Sequence, residues 1–118
     1  MRVVFADLSA HTLCADLARA TAYWGAGWAA VAFCLSLLVN SVDIAELRRW
    51  AAVEVRVADG LIRVHHRDAV VTLTPLADDG TALAINEEGT VEHLDHIRSA
   101  RIVDVACNGR RAADRRAH

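Results

Sequence analysis

The chain of 118 residues contains no lysine, a single proline, three cysteines and 5% aromatic residues, and each scarcity excludes a class of protein. Cys14, Cys34 and Cys107 are an odd number at wide spacings with no CxxC pair, which excludes a disulfide scaffold and fits a reducing, cytosolic setting. One proline and six glycines without a period exclude a collagen-like chain, and 54% hydrophobic content excludes a disordered one. A formal net charge of -2 leaves no basic face broad enough to neutralise a phosphate backbone, so nucleic acid is not an expected partner. All thirteen basic residues are arginine, which reads as a coding bias before it reads as guanidinium chemistry. No glycine-rich phosphate loop, no GxSxG elbow and no motif for a cofactor occurs.

What is present fits one domain over residues 1–118, with a helical part at about 7–52, a β part at about 53–107 and a basic tail at 108–118. Met1 to Ala6 is an apolar run with β-branched character, expected as a short strand or extended arm. From Ser9 to Tyr23, Leu13 with Leu17 and Cys14 with Ala18 recur at four-residue spacing, predicting one amphipathic helix that ends at Gly25 and Gly27. Trp28 to Val39 is uninterrupted apolar sequence rich in Ala and Leu, which predicts a buried helix. Asp43 and Glu46 have capping-box spacing and open a short helix ending near Ala52.

No charge occurs between Arg19 and Asp43, a span long enough to cross a bilayer at about 1.5 Å per residue. A single membrane pass through residues 20–42 is therefore the alternative to a cytoplasmic core helix. Tyr23, Trp24 and Trp28 would form its interfacial belt, and Arg48 and Arg49 would hold the C-terminal half in the cytoplasm beneath an inner membrane. Asp7 and Asp16 stand where a cleaved signal would carry basic residues, so cleavage is not expected.

At Val53 the period changes to two. Val53, Val55 and Val57 alternate with Glu54 and Arg56, Asp59-Gly60 is a tight-hairpin signal, and LIRVHHR and AVVTLT follow as further strands. TALAIN, TVEHLDHI and ARIVDVAC supply three more extended segments, with a turn at Asn108-Gly109 and a solvated arginine-rich end. The expected architecture is α+β: two or three N-terminal helices packed on a C-terminal antiparallel meander sheet of five or six strands.

The histidines are the most chemical feature. Adjacent strand residues face opposite ways, so His65 and His66 cannot share a site, and the best candidate metal set is His66, His93 and Asp95. The competing reading is rim histidines paired with neighbouring acids. Trp24, Trp28 and Trp50 are candidate interface residues, although the four-residue spacing of Trp24 and Trp28 equally suits helix packing. The opening MRVVFADLSA is similar to the first strand of receiver domains, with Leu8 where a second acidic residue would stand, and GTALAINEEGTVEHLDHIRSARIV resembles the hairpin rhythm of small pleckstrin-like and Sm-like barrels. Neither resemblance extends to a site.

Three functions are compatible with these features. The leading one is a binding or regulatory protein whose partner is another protein or itself. The second is a small pocket enzyme using Asp7, His66, His93 or Asp95. The third is the single-pass membrane protein with a cytoplasmic β domain.

Overall fold

Alternating apolar residues after Val53 fold into three antiparallel strands, β2 (Glu54–Ala58), β3 (Leu61–His66) and β4 (Ala69–Leu76), joined by turns at Asp59-Gly60 and Arg67-Asp68. Residues 1–85 and 94–117 are described by the computed structural model, residues 115–117 in their backbone only. β5 (Ser99–Cys107) pairs antiparallel with β4, with a bulge opposite Thr72 and Leu73, and turns at Asn108-Gly109 into the two-residue strand β6 (Arg110–Arg111). Pro75 sits in the middle of the sheet without cost to the ladder. Its carbonyl faces Leu83, so its missing donor also faces that side, beyond the end of β3, and the pairing with β5 is untouched.

The sheet order is β1-β5-β4-β3-β2, where β1 is Arg2–Phe5 and runs parallel to β5. The class is therefore the α+β expected, but the sheet is a mixed one and not a pure antiparallel meander. The reason is geometric: the helices carry the chain across the sheet from β1 to the far edge, β2 starts against β1, and three reversals leave β5 running with it.

Three aspartates set the helix starts. Asp7 accepts from the Ser9 amide (2.9 Å) to open α1 (Leu8–Ala15), Asp16 from the Arg19 amide (3.1 Å) to open α2 (Leu17–Trp24), and Asp43 from the Glu46 amide (2.9 Å) to open α4 (Ile44–Arg48). The single helix expected over Ser9 to Tyr23 is thus two, because Asp16 takes an extended backbone in order to cap. A 3-10 turn at Gly25–Gly27 leads into α3 (Trp28–Asn40), which buries Val31, Cys34 and Leu38 along one face. That stripe lies against Ile62, Val64, Val71, Leu73, Ile102 and Val105 of the sheet, all fully or almost fully buried. The opposite sheet face carries Glu54, Arg56, Arg63, Thr72 and Asp104, each partly or fully exposed.

Two further expectations change. The described residues of TALAIN, 81–85, contribute one bridge, Ala82 to Leu76, in place of a strand, and the described end of TVEHLDHI turns helically at Leu94 and Asp95. The remainder of that segment, with His93, lies outside the described residues. The tail is not simply solvated: Arg110 donates to Tyr23 O (2.9 Å) and covers the Tyr23 ring, Arg111 pairs with Asp104 (2.7 Å), and Ala112 is buried.

The tightest packing is where α3 begins. A Cβ on Gly27 would stand 2.6 Å from Cys107 Sγ and 3.3 Å from Asn108 Nδ2, so only glycine lets the helix come down on the end of β5. Gly27→Ala is expected to destabilise the fold by about 1–3 kcal/mol through overpacking. Cys107→Ala in the same chain should restore part of that loss, as read by urea unfolding of the two variants.

Candidate functional site

Two concave regions bring together residues that the chain order separates. The first runs beside β1. Arg2 N–H donates to Arg98 O (2.9 Å) and Ala6 N–H to Ile102 O (2.8 Å), so with the two-residue period of a strand the Val3 and Phe5 amides and carbonyls point away from β5 to the open edge. Among the described residues no strand pairs with that edge. A groove of about 530 Å³ follows it, lined by Val3, Val4, Phe5, Ala6, Leu8 and His11. An apolar pocket of about 220 Å³ adjoins it, where Cys14, Leu35 and Val39 meet the Val3 and Phe5 side chains. Leu8 is 77% exposed and Val39 59%, so an apolar rim surrounds the strand. The Met1 nitrogen donates to Val39 O (3.1 Å) and Ser41 O, which fixes β1 to the end of α3.

The second region is a cavity of about 420 Å³ at the start of α3. His66, Ala69 and Cys107 stand abreast on β3, β4 and β5, with only a methyl group between the outer two. Ala26, Gly27, Ala29 and Ala30 face them, and these small side chains leave the space open. Phe33 and the His66 ring form one wall, centroids 4.3 Å apart. The rim is Arg67, Asp68 and Asn108, from two hairpin turns tied by Asn108 N–H to Asp68 O (3.1 Å).

The cavity resembles a cysteine–histidine site in composition, but its chemistry differs. His66 Nδ1 carries a proton and donates to Ala52 O (2.8 Å), which turns the ring toward β2, away from a thiol whose Cα lies roughly 10 Å off across two strand spacings. Burial, and after it the Asp68 carboxylate, push the Cys107 thiol above its ordinary value, and its proton goes to Gly27 O at 3.5 Å. A protonated, buried thiol is a packing group and not a nucleophile. Cys14 has a histidine one helical turn before it, but the His11 ring packs at a tilt against Phe5 (centroids 5.1 Å) and burial raises the Cys14 thiol to about 11.

Of the expected metal ligands, His66 holds Ala52 O and Phe33, whereas Asp95 pairs with Arg48 (3.3 Å). His93 lies outside the described residues, and among the described ones no group of three histidine, cysteine or acidic side chains is gathered to hold an ion. Trp24 is 6% exposed, donates to Arg110 O (2.8 Å) and stacks on Trp28 at 5.9 Å. These two tryptophans therefore pack the helices onto the tail, while Trp50, 48% exposed, stays at the surface. The β1 edge and the cavity were not singled out by sequence. The only signals were the apolar MRVVFA run and the Gly25-Ala26-Gly27 stretch before α3.

A scan against protein-family models, a search of curated proteins and a search of solved structures each return no match for this chain.

In the folded protein Cys14 and Cys107 are expected to react with iodoacetamide at pH 7.5 on the order of ten-fold or more slowly than in urea, because their thiolates are suppressed. The rate at Cys14 should climb as pH approaches 11. Fast labelling of Cys107 at neutral pH in the native state would restore the nucleophile reading.

Proposed function

We propose that this protein is an association module, and that its first partner is a second copy of itself joined through β1. The observation that carries the reading is the open edge of β1, with its Val3 and Phe5 amides and carbonyls unpaired by any described residue and an apolar groove alongside. An unpaired edge of this kind is a template for another strand.

The second copy fits because the edge is self-complementary. With a two-fold axis through Val4, an antiparallel partner places Val3 opposite Phe5 of the other copy and Phe5 opposite its Val3. Both pairs have outward-facing amides and carbonyls, so four hydrogen bonds form. The two Val4 side chains, 38% exposed in one chain, meet at the axis. Exposed Leu8 and Val39 and the groove beside each β1 then supply the apolar contact that four hydrogen bonds alone do not.

The test is solution mass by light scattering. The expected result is a species of twice 12.8 kDa for the natural chain. Val4→Lys should give a folded monomer, because two like charges would face each other across the axis. Trp50→Ser should leave the mass unchanged. A natural chain that is monomeric at high concentration, or a dimer that survives Val4→Lys and dissolves with Trp50→Ser, would overturn the reading.

A second reading is favoured by one specific observation. The helical stretch Leu17–Asn40 has the length suited to a membrane span, its most apolar 18 residues have a mean hydropathy of 1.6, and 22% of those residues are buried in the fold. If it spans, the protein expressed without detergent will float with vesicles and resist salt extraction. Recovery in the soluble fraction, with α3 protected from hydrogen exchange, assigns the stretch to the core.

A further inference from the structure

The cavity at the start of α3 takes no part in the β1 edge, and its polar rim is uncommitted. Among the described residues the Arg67 guanidinium, the Asp68 carboxylate and the Asn108 amide make no side-chain hydrogen bond or ion pair, although all three line one cavity of about 420 Å³. We propose that this cavity binds a small planar molecule carrying one negative charge, of the aromatic carboxylate class.

Size and shape come first. A volume of about 420 Å³ falls in the range of small-molecule sites, and one wall is aromatic, made by Phe33 and the His66 ring at 4.3 Å and 32°. A flat ring lying along that wall would meet only Ala26, Gly27, Ala29 and Ala30 on the helix side, whose small side chains leave room for a slab and give no grip on a branched chain.

Charge comes second. Arg67 offers a planar donor fork suited to a carboxylate, and Asn108 adds an amide beside it. Asp68 on the same rim cancels the charge of Arg67, so the preference for a carboxylate rests on the directed donors of the guanidinium and of Asn108, and a dianion such as phosphate is disfavoured.

The third observation is where Arg67 stands. Its φ of 52° lies in the left-handed region, which glycine occupies freely and arginine does not. The other two hairpin turns pair a left-handed Asp59 or Asn108 with a glycine, as that geometry prefers, and Asp and Asn are the side chains that tolerate it best. Arg67 has neither advantage, and its guanidinium holds nothing in the fold, so its value lies in what it presents to the cavity.

The test is a titration followed by amide spectra of the isotope-labelled full chain at constant ionic strength, using benzoate, its neutral counterpart benzamide, and inorganic phosphate. Benzoate is expected to shift the Phe33, His66, Arg67 and Asn108 signals saturably, with benzamide and phosphate each at least about tenfold weaker. Arg67→Gly relieves the left-handed strain, so it should melt no lower than the natural chain while losing benzoate affinity by about tenfold or more. The proposal is overturned if benzoate moves none of these signals, if benzamide or phosphate binds as well as benzoate, or if Arg67→Gly binds benzoate unchanged. None of these outcomes depends on whether the chain dimerises through β1.

Discussion

The seating of α3 on the sheet is the contact from which the rest of the fold follows. Val31, Cys34 and Leu38 form one stripe that fills the hollow above β3, β4 and β5, and the helix reaches that depth because Gly27 allows its first turn to touch Cys107. Once α3 is fixed, its two ends determine both concave regions. Its C-terminal end receives the Met1 nitrogen at Val39 O and sets β1 beside β5. Its N-terminal end carries the alanines and Gly27 whose small volume leaves the second cavity open above Ala69. A larger residue at Gly27 or Ala30 would fill the space and lift the helix at the same time, so packing and site are not independent.

The tail is part of this arrangement. Arg110 and Arg111 pair with the end of β5 as β6, and the Arg110 backbone and side chain reach Trp24 and Tyr23 on α2. The aromatic residues that look like a membrane belt in sequence are thereby engaged: Trp24 is in the core, Trp28 lies flat on it, and Tyr23 is covered by a guanidinium. Cation and ring stabilise each other most where water is partly displaced, which is the situation between α2 and β6. An arginine-rich end that composition alone assigns to solvent becomes the clasp that holds the second helix against the sheet.

The two concave regions divide the chemistry between them. Beside β1 there are few charges, unpaired backbone groups and exposed aliphatic side chains, the combination that favours a protein surface over a soluble ligand. At the start of α3 there are rings, a guanidinium and an amide around a small apolar floor, the combination that favours a small molecule. The three cysteines add packing and not reactivity, because burial keeps them protonated; Cys107 is in addition beside a carboxylate.

Local patterning by itself determined much of this protein. The change from helical period to period two at Val53, the Asp59-Gly60 and Asn108-Gly109 hairpins, the capping aspartate at Asp43 and the apolar run of α3 are all governed by neighbours within a few residues, and all are legible in the chain. Asp16 shows the limit of that reading, since one capping side chain outweighs the four-residue repeat on both sides of it and splits a helix in two. Only the tertiary structure decided the parallel pairing of β1 with β5, the burial of Trp24 against the tail, the separation of His66 from Asp95, and the meeting of Phe33, His66, Arg67 and Asn108 around one cavity. The physical reason is range. Hydrophobic periods and turn propensities act over three to five residues, whereas these contacts join segments about thirty to a hundred residues apart, and which of them form is settled by how volumes fit when α3 closes on the sheet.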